Sequence, residues 1–86
     1  MYEITAVSKR VEKQLSEVLQ TYYFTYEKLE KIRSDPRREL DAHKLKGKLR
    51  GLWACSFGYD LRMIYRIDDD SKQIVVFGIG SHKVYL

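Results

Sequence analysis

The hydrophobic period changes part-way along the chain, and that change limits the folds open to it. In the first half, Val11, Leu15, Val18, Leu19 and Tyr22 recur at three- and four-residue spacing, with Lys, Glu and Gln between them. This spacing predicts an amphipathic helix over roughly 8–21, with Ser8 as its N-cap. A second helix is expected over roughly 24–34, with Tyr26, Leu29 and Ile32 as its apolar positions. Pro36 ends it, because proline disfavours the helical conformation at the residue before it.

Beyond residue 51 the period shortens. LWACSF (52–57) is an apolar run of strand length, GYD (58–60) reads as a turn, and LRMIYRI (61–67) alternates as a strand does. DDDSK (68–72) reads as a hairpin turn. QIVVFGI (73–79) is apolar enough for an interior strand. With a short N-terminal strand at YEITA (2–6), the order is β-α-α-β-β-β. The expected class is α+β: two antiparallel N-terminal helices packed on one face of a small, mostly antiparallel, twisted sheet.

A chain of 86 residues suits one small domain, taken as 1–86. Its lone cysteine, Cys55, excludes an internal disulfide and reads as a small buried apolar side chain rather than a nucleophile. The longest apolar run, IVVFGIG (74–80), is too short to span a bilayer, and the N-terminus has no apolar targeting core. A cytoplasmic protein with no membrane partner is expected. Two histidines and one cysteine in no ligand spacing point to neither a metal nor a cofactor. There is no P-loop, GxSxG or dinucleotide fingerprint.

The net charge of +4 biases the chain toward polyanions. Between Arg37 and Arg50 there are six Lys or Arg residues against two acids, Glu39 and Asp41. Within that span Lys44, Lys46, Lys48 and Arg50 alternate with Leu45, Gly47 and Leu49. As a helix, Leu45, Leu49 and Leu52 would make a stripe, but Gly47 and Gly51 each cost about 1 kcal/mol there. As an extended segment, the four cations fall on one face about 6.6 Å apart, suited to a phosphate backbone. The extended form is favoured. A solvated edge strand guarded by lysines fits the same pattern.

His43 opens this segment, His82 follows the last expected strand, and Arg62 begins the strand before it, after Asp60. Pairing of the last two strands would bring Arg62 and His82 to one end of the sheet. Two histidines and an arginine beside a basic segment are the groups needed to cut RNA without a metal. One group takes the 2′-hydroxyl proton, another protonates the leaving 5′-oxygen, and cations stabilise the phosphorane. Arginine's planar fork suits a phosphate.

HKLKGKLRGLWACSFGYDLRMIYRI followed by IVVFGIGSHKVYL resembles the RelE/ParE superfamily of toxins from type II toxin–antitoxin pairs. It looks most like the RelE/YafQ-type mRNA interferases, over essentially the whole chain. The resemblance implies a microbial RNase-like (RelE) fold and a ribosome-dependent endoribonuclease that cuts mRNA in the A site by metal-independent 2′-hydroxyl attack. It matches His43, Asp60 and His82 to catalytic or strand-leading positions of the YafQ branch and Arg62 to a phosphate-stabilising arginine of RelE. Lys44 and Lys46 fall where RelE has functional lysines; with Lys48 and Arg50 they are candidates for binding mRNA or ribosomal RNA. Tyr85 is a candidate for stacking on a base. Two positions depart from the YafQ pattern: Ser56 stands where a further histidine is usual, and the tail after His82 is one residue short. The implied partners are mRNA, the ribosome and a cognate antitoxin, with DNA approached only through the antitoxin complex. ParE-type members of the superfamily are instead non-enzymatic gyrase poisons. A third possibility is an inactive relative that only binds an antitoxin or nucleic acid.

Overall fold

The computed structural model describes residues 1–81. Strand β1 (Glu3–Ala6) leads into helices α1 (Lys9–Thr21) and α2 (Thr25–Ser34). Then come a short 3-10 turn, a two-residue strand β2 (His43–Lys44), and strands β3 (Trp53–Gly58), β4 (Leu61–Asp68) and β5 (Gln73–Gly80). The five strands form one sheet in the order β1-β5-β4-β3-β2. β1 runs parallel to β5, and the other pairs are antiparallel. The expected α+β architecture of two helices on a mostly antiparallel sheet is therefore present, with β2 added and β5 in the sheet interior.

The helices form where the sequence signals them. The Ser8 hydroxyl accepts from the Val11 amide at 3.3 Å, capping α1. Val11, Leu15, Val18 and Leu19 turn toward the sheet. In α2 the buried face is Thr25, Leu29 and Ile32, at i, i+4 and i+7, whereas Tyr26 is 62% exposed. The expected stripe through Tyr26 is thus corrected by one position. A helix turns 100° per residue, so Thr25 lies in line with Leu29 and Ile32 and Tyr26 is carried off their face.

Phe57, Met63, Tyr65, Ile74 and Val76 fill the space between sheet and helices, with Ile32 against them. Complete burial of side chains of this size contributes about 1.5–3 kcal/mol each. Tyr65 is fully buried yet satisfied: its hydroxyl donates to the Pro36 carbonyl at 2.6 Å, and burial pushes its pKa well above the ordinary tyrosine range. Cys55 is buried too, which pushes its thiol up to about 12 and leaves it un-nucleophilic, as expected.

Candidate functional site

The sheet face turned away from the helices carries the candidate residues, and two bulges decide which ones reach it. Tyr59 and Asp60 close the β3–β4 hairpin with φ of 52° and 66°, a two-residue turn of type I′ form. Gly58 pairs with Leu61, but the next pair is Ser56 with Arg62, so Phe57 is an extra residue on β3. Phe57 stays in the helix-side core, and Ser56 and Arg62 share the opposite face. Arg62 Nη1 donates to Ser56 Oγ at 3.1 Å and to the Leu61 carbonyl at 3.2 Å. The guanidinium is half-buried and held against the sheet with donors to spare. Ser56, read from sequence only as a departure, is therefore the residue that fixes Arg62. Its signal lay in the hairpin register, which the bulge shifts.

A second bulge lies between β4 and β5. Ile64 pairs with Gly78 and Tyr65 with Val76, which leaves Phe77 as the extra residue. Beyond it Arg62 pairs with Gly80. Arg62 thus stands opposite the C-terminal end of β5, and the expected approach of Arg62 to His82 falls outside the described residues. His82 and Tyr85 lie outside the described residues.

His43 sits on the other side of the same face. It pairs with Ala54, Ala54 with Ile64, and Ile64 with Gly78, so these residues form one row across four strands. Arg62 lies two residues along β4 from that row. Two strand spacings and two residues of rise put His43 and Arg62 about 12 Å apart at their Cα atoms. His43 Nδ1 is 3.0 Å from the Asp41 carbonyl. A carbonyl can only accept, so Nδ1 carries the proton and a neutral ring keeps its lone pair on Nε2. The segment leading in is strained: Leu40 and Asp41 both have positive φ, at 56° and 58°. Asp60 occupies the second turn position, two residues ahead of Arg62.

The basic segment differs from the expected ribbon. Extended structure stops at Lys44. Lys46 is extended, but Gly47 takes φ 67° and opens a 3-10 turn, Gly47–Leu49, closed by the Arg50 amide on the Gly47 carbonyl at 3.1 Å. Gly51, at φ 96°, turns the chain again, and the Leu45 amide reaches the Leu52 carbonyl at 3.0 Å. The two glycines thus supply left-handed turns that a strand does not use. Lys46, Lys48 and Arg50 are exposed on a compact loop rather than aligned on one strand face. Lys44 points to the face opposite His43, with its ammonium 5.8 Å from the centre of the Trp53 ring, near which the Arg37 guanidinium also lies, at 5.9 Å.

Residues 5–84 match the family model described as the ParE toxin of the type II toxin–antitoxin system, parDE. The chain belongs to this toxin family. It falls within the RelE/ParE superfamily, as the sequence resemblance implied, and is the toxin of a type II toxin–antitoxin system. Solved structures share the toxin's fold. The RelBE2 toxin–antitoxin complex from Mycobacterium tuberculosis is 18% identical with a TM-score of 0.75, covering 94% of this chain and 91% of that one. The YoeB–YefM complex from Staphylococcus aureus is 22% identical with a TM-score of 0.74, covering 95% and 98%. A YafQ mutant from E. coli is 15% identical with a TM-score of 0.69, covering 100% and 99%. No curated protein matches the sequence significantly.

Among the toxin's described residues there is no group of three His, Cys, Asp or Glu side chains arranged to hold a metal. No helix among them is long and apolar enough to cross a membrane. The toxin thus has an anchored guanidinium and, two strands away, a histidine of fixed tautomer, with a loop of exposed cationic side chains between β2 and β3.

Proposed function

We propose that the toxin is a ribosome-dependent mRNA endoribonuclease that cuts by metal-independent attack of the 2′-hydroxyl. The observation that carries this is Arg62, anchored by Ser56 on the open sheet face, paired with Gly80 two residues before His82 in sequence. In the proposed reaction, His43 Nε2 takes the 2′-hydroxyl proton, helped by Lys46. The freed oxygen attacks the adjacent phosphorus, Arg62 binds the phosphorane oxygens, and the 5′-oxygen leaves with a proton from His82. The products are a 2′,3′-cyclic phosphate and a 5′-hydroxyl. The separation of about 12 Å between the His43 and Arg62 Cα atoms leaves room for a ribose–phosphate unit between their side chains. Asp60 orients a catalytic group or contacts RNA from the turn beside Arg62. Lys44, Lys48 and Arg50 bind mRNA or ribosomal RNA phosphates, and Tyr85 stacks on a base.

The proposed setting is the cytoplasm, with the ribosomal A site as the place of cleavage. The proposed inhibitor is a cognate antitoxin, locally acidic and disordered until it wraps the basic face. The complexes formed by the structural neighbours from M. tuberculosis and S. aureus support such a partner.

One observation favours a second reading: the family model matched is that of the ParE toxin. ParE-type members poison gyrase and lack the cutting residues. A cell-free translation reaction with end-labelled mRNA separates the two. Discrete cuts within the translated frame, insensitive to EDTA and absent without ribosomes or with Arg62→Ala, support the nuclease. Intact mRNA and undisturbed translation, together with trapped gyrase–DNA complexes, support the gyrase poison.

A further inference from the structure

The α1–α2 connection and the β3–β4 turn bring an unusual set of rings to the surface. Tyr22, Tyr23 and Phe24 are consecutive between the helices, and Tyr59 occupies the hairpin turn. Phe24 is the hub: its ring centroid lies 5.7 Å from Tyr22, 6.3 Å from Tyr23 and 5.4 Å from Tyr59. Tyr23 is 88% exposed and Tyr59 85%. Phe24 packs partly against the core, but stability of the fold does not call for the display of Tyr23 and Tyr59 beside it. Large apolar rings gain little from packing when they remain this exposed, and Tyr59 holds its place with φ of 52°, a conformation bulky side chains disfavour.

Position gives the cluster its meaning. Tyr22 lines a shallow groove with Leu61, Ile79, Gly80 and Ser81, so the rings border the end of the sheet where Arg62 meets Gly80. Glu17 lines the same groove, and Asp60 adjoins Tyr59. These carboxylates disfavour phosphates at the rings themselves. Neutral base faces suit them, with the phosphate group held by Arg62 on the other face of the same sheet end. Base-on-aromatic stacking beside a cationic site is the usual chemistry of single-strand binding.

We infer that Tyr23, Phe24 and Tyr59 form a stacking platform for unpaired bases of RNA whose backbone is held at Arg62. This rests on the RNA-cleaving reading and extends it, since it places base contacts at the helix connection and not only at the C-terminal tail. The platform takes bases by their faces, so it favours unpaired RNA with little dependence on sequence.

The test compares a short single-stranded RNA with an abasic analogue of the same length, by fluorescence anisotropy. Wild type should prefer the base-bearing strand by about tenfold per stacked base. The variant Tyr23→Ala/Tyr59→Ala should lose that preference and keep its affinity for the abasic strand, with an unchanged salt slope. Tyr59→Phe should retain the preference, because the ring remains. Circular dichroism confirms the fold of each variant. Equal preference in wild type and the double variant overturns the platform and leaves the nuclease proposal standing if mRNA is still cut. Absence of any RNA binding by wild type overturns the platform, and cutting of mRNA in the translation reaction then decides the nuclease proposal by itself. Unchanged RNA binding with lost antitoxin binding in the double variant overturns the platform in favour of a protein-docking surface.

Discussion

Ser56 Oγ lies 3.1 Å from Arg62 Nη1, and the two residues are register partners across β3 and β4. The bond fixes one side of the guanidinium, so the arginine meets a phosphate with less side-chain freedom to lose. Ser56→Ala should therefore keep the charge and lose the positioning. Its expected effect is a fall in cleavage of about tenfold, whereas Arg62→Ala should abolish growth arrest. Arg62→Lys should behave like Arg62→Ala, because an ammonium cannot grip a phosphate with two parallel bonds. Cleavage of reporter mRNA in cell-free translation ranks the four proteins, and circular dichroism verifies that they fold. Full activity in Arg62→Lys would remove the bidentate role.

His43 is held by the Asp41 carbonyl in the tautomer that a base requires. His43→Ala should slow cleavage by about a hundredfold or more, the usual share of a general acid or base. His43→Gln should not recover it, since an amide cannot take up the proton. His82→Ala should arrest growth no better. Initial rates on the same reporter decide each case, and a folded His43→Ala toxin that cuts at the wild-type rate would assign the proton transfer elsewhere.

The shift of hydrophobic period beyond residue 51 made the two helices and three long strands legible, because burial of one face imposes a period of 3.6 or 2 on the residues. The antiparallel pairing of β4 with β5 through the 68–72 turn was legible as a hairpin. The bulges at Phe57 and Phe77 were not, since one extra residue leaves no periodic mark although it flips every side chain beyond it. A regular β3–β4 hairpin would oppose Arg62 to Phe57, sending the charge into the core or the ring into water. The ribbon of alternating cations failed for a related reason. Charge alternation is a statement about side chains, and the backbone there is governed by Gly47 and Gly51.

The basic loop divides its cations by direction. All four are exposed, but Lys44 alone reaches back over the Trp53 ring, on the face opposite His43. Neutralising Lys46, Lys48 or Arg50 singly to Gln should each lower the slope of log affinity for RNA against log salt by about one. Lys44→Gln should change that slope less and reduce thermal stability slightly. A salt titration of RNA binding reads the slopes, and equal effects at all four positions would restore a continuous cationic ribbon.

The last prediction concerns acid. Asp69 joins three parts of the fold: Arg37 grips its carboxylate through Nη1 and Nη2 at 3.3 and 2.7 Å, and the Tyr2 hydroxyl donates to it at 2.5 Å. The Arg37 hydrogen bonds, aided by Tyr2, hold its pKa at about 2, below the ordinary 3.8. The folded state thus binds this proton more weakly than the unfolded chain. The stabilisation is complete above about pH 4 and disappears as pH falls through about 2. Asp69 is a surface carboxylate, so solvent and salt screen the pair and the effect is modest. Asp69→Asn should melt below wild type at neutral pH, and the gap should narrow as pH falls from about 4 to about 2. Melting curves across that interval, repeated at high salt, check the sign; a gap that stays constant with pH would mean that Asp69 stabilises the hairpin by packing and not by its charge.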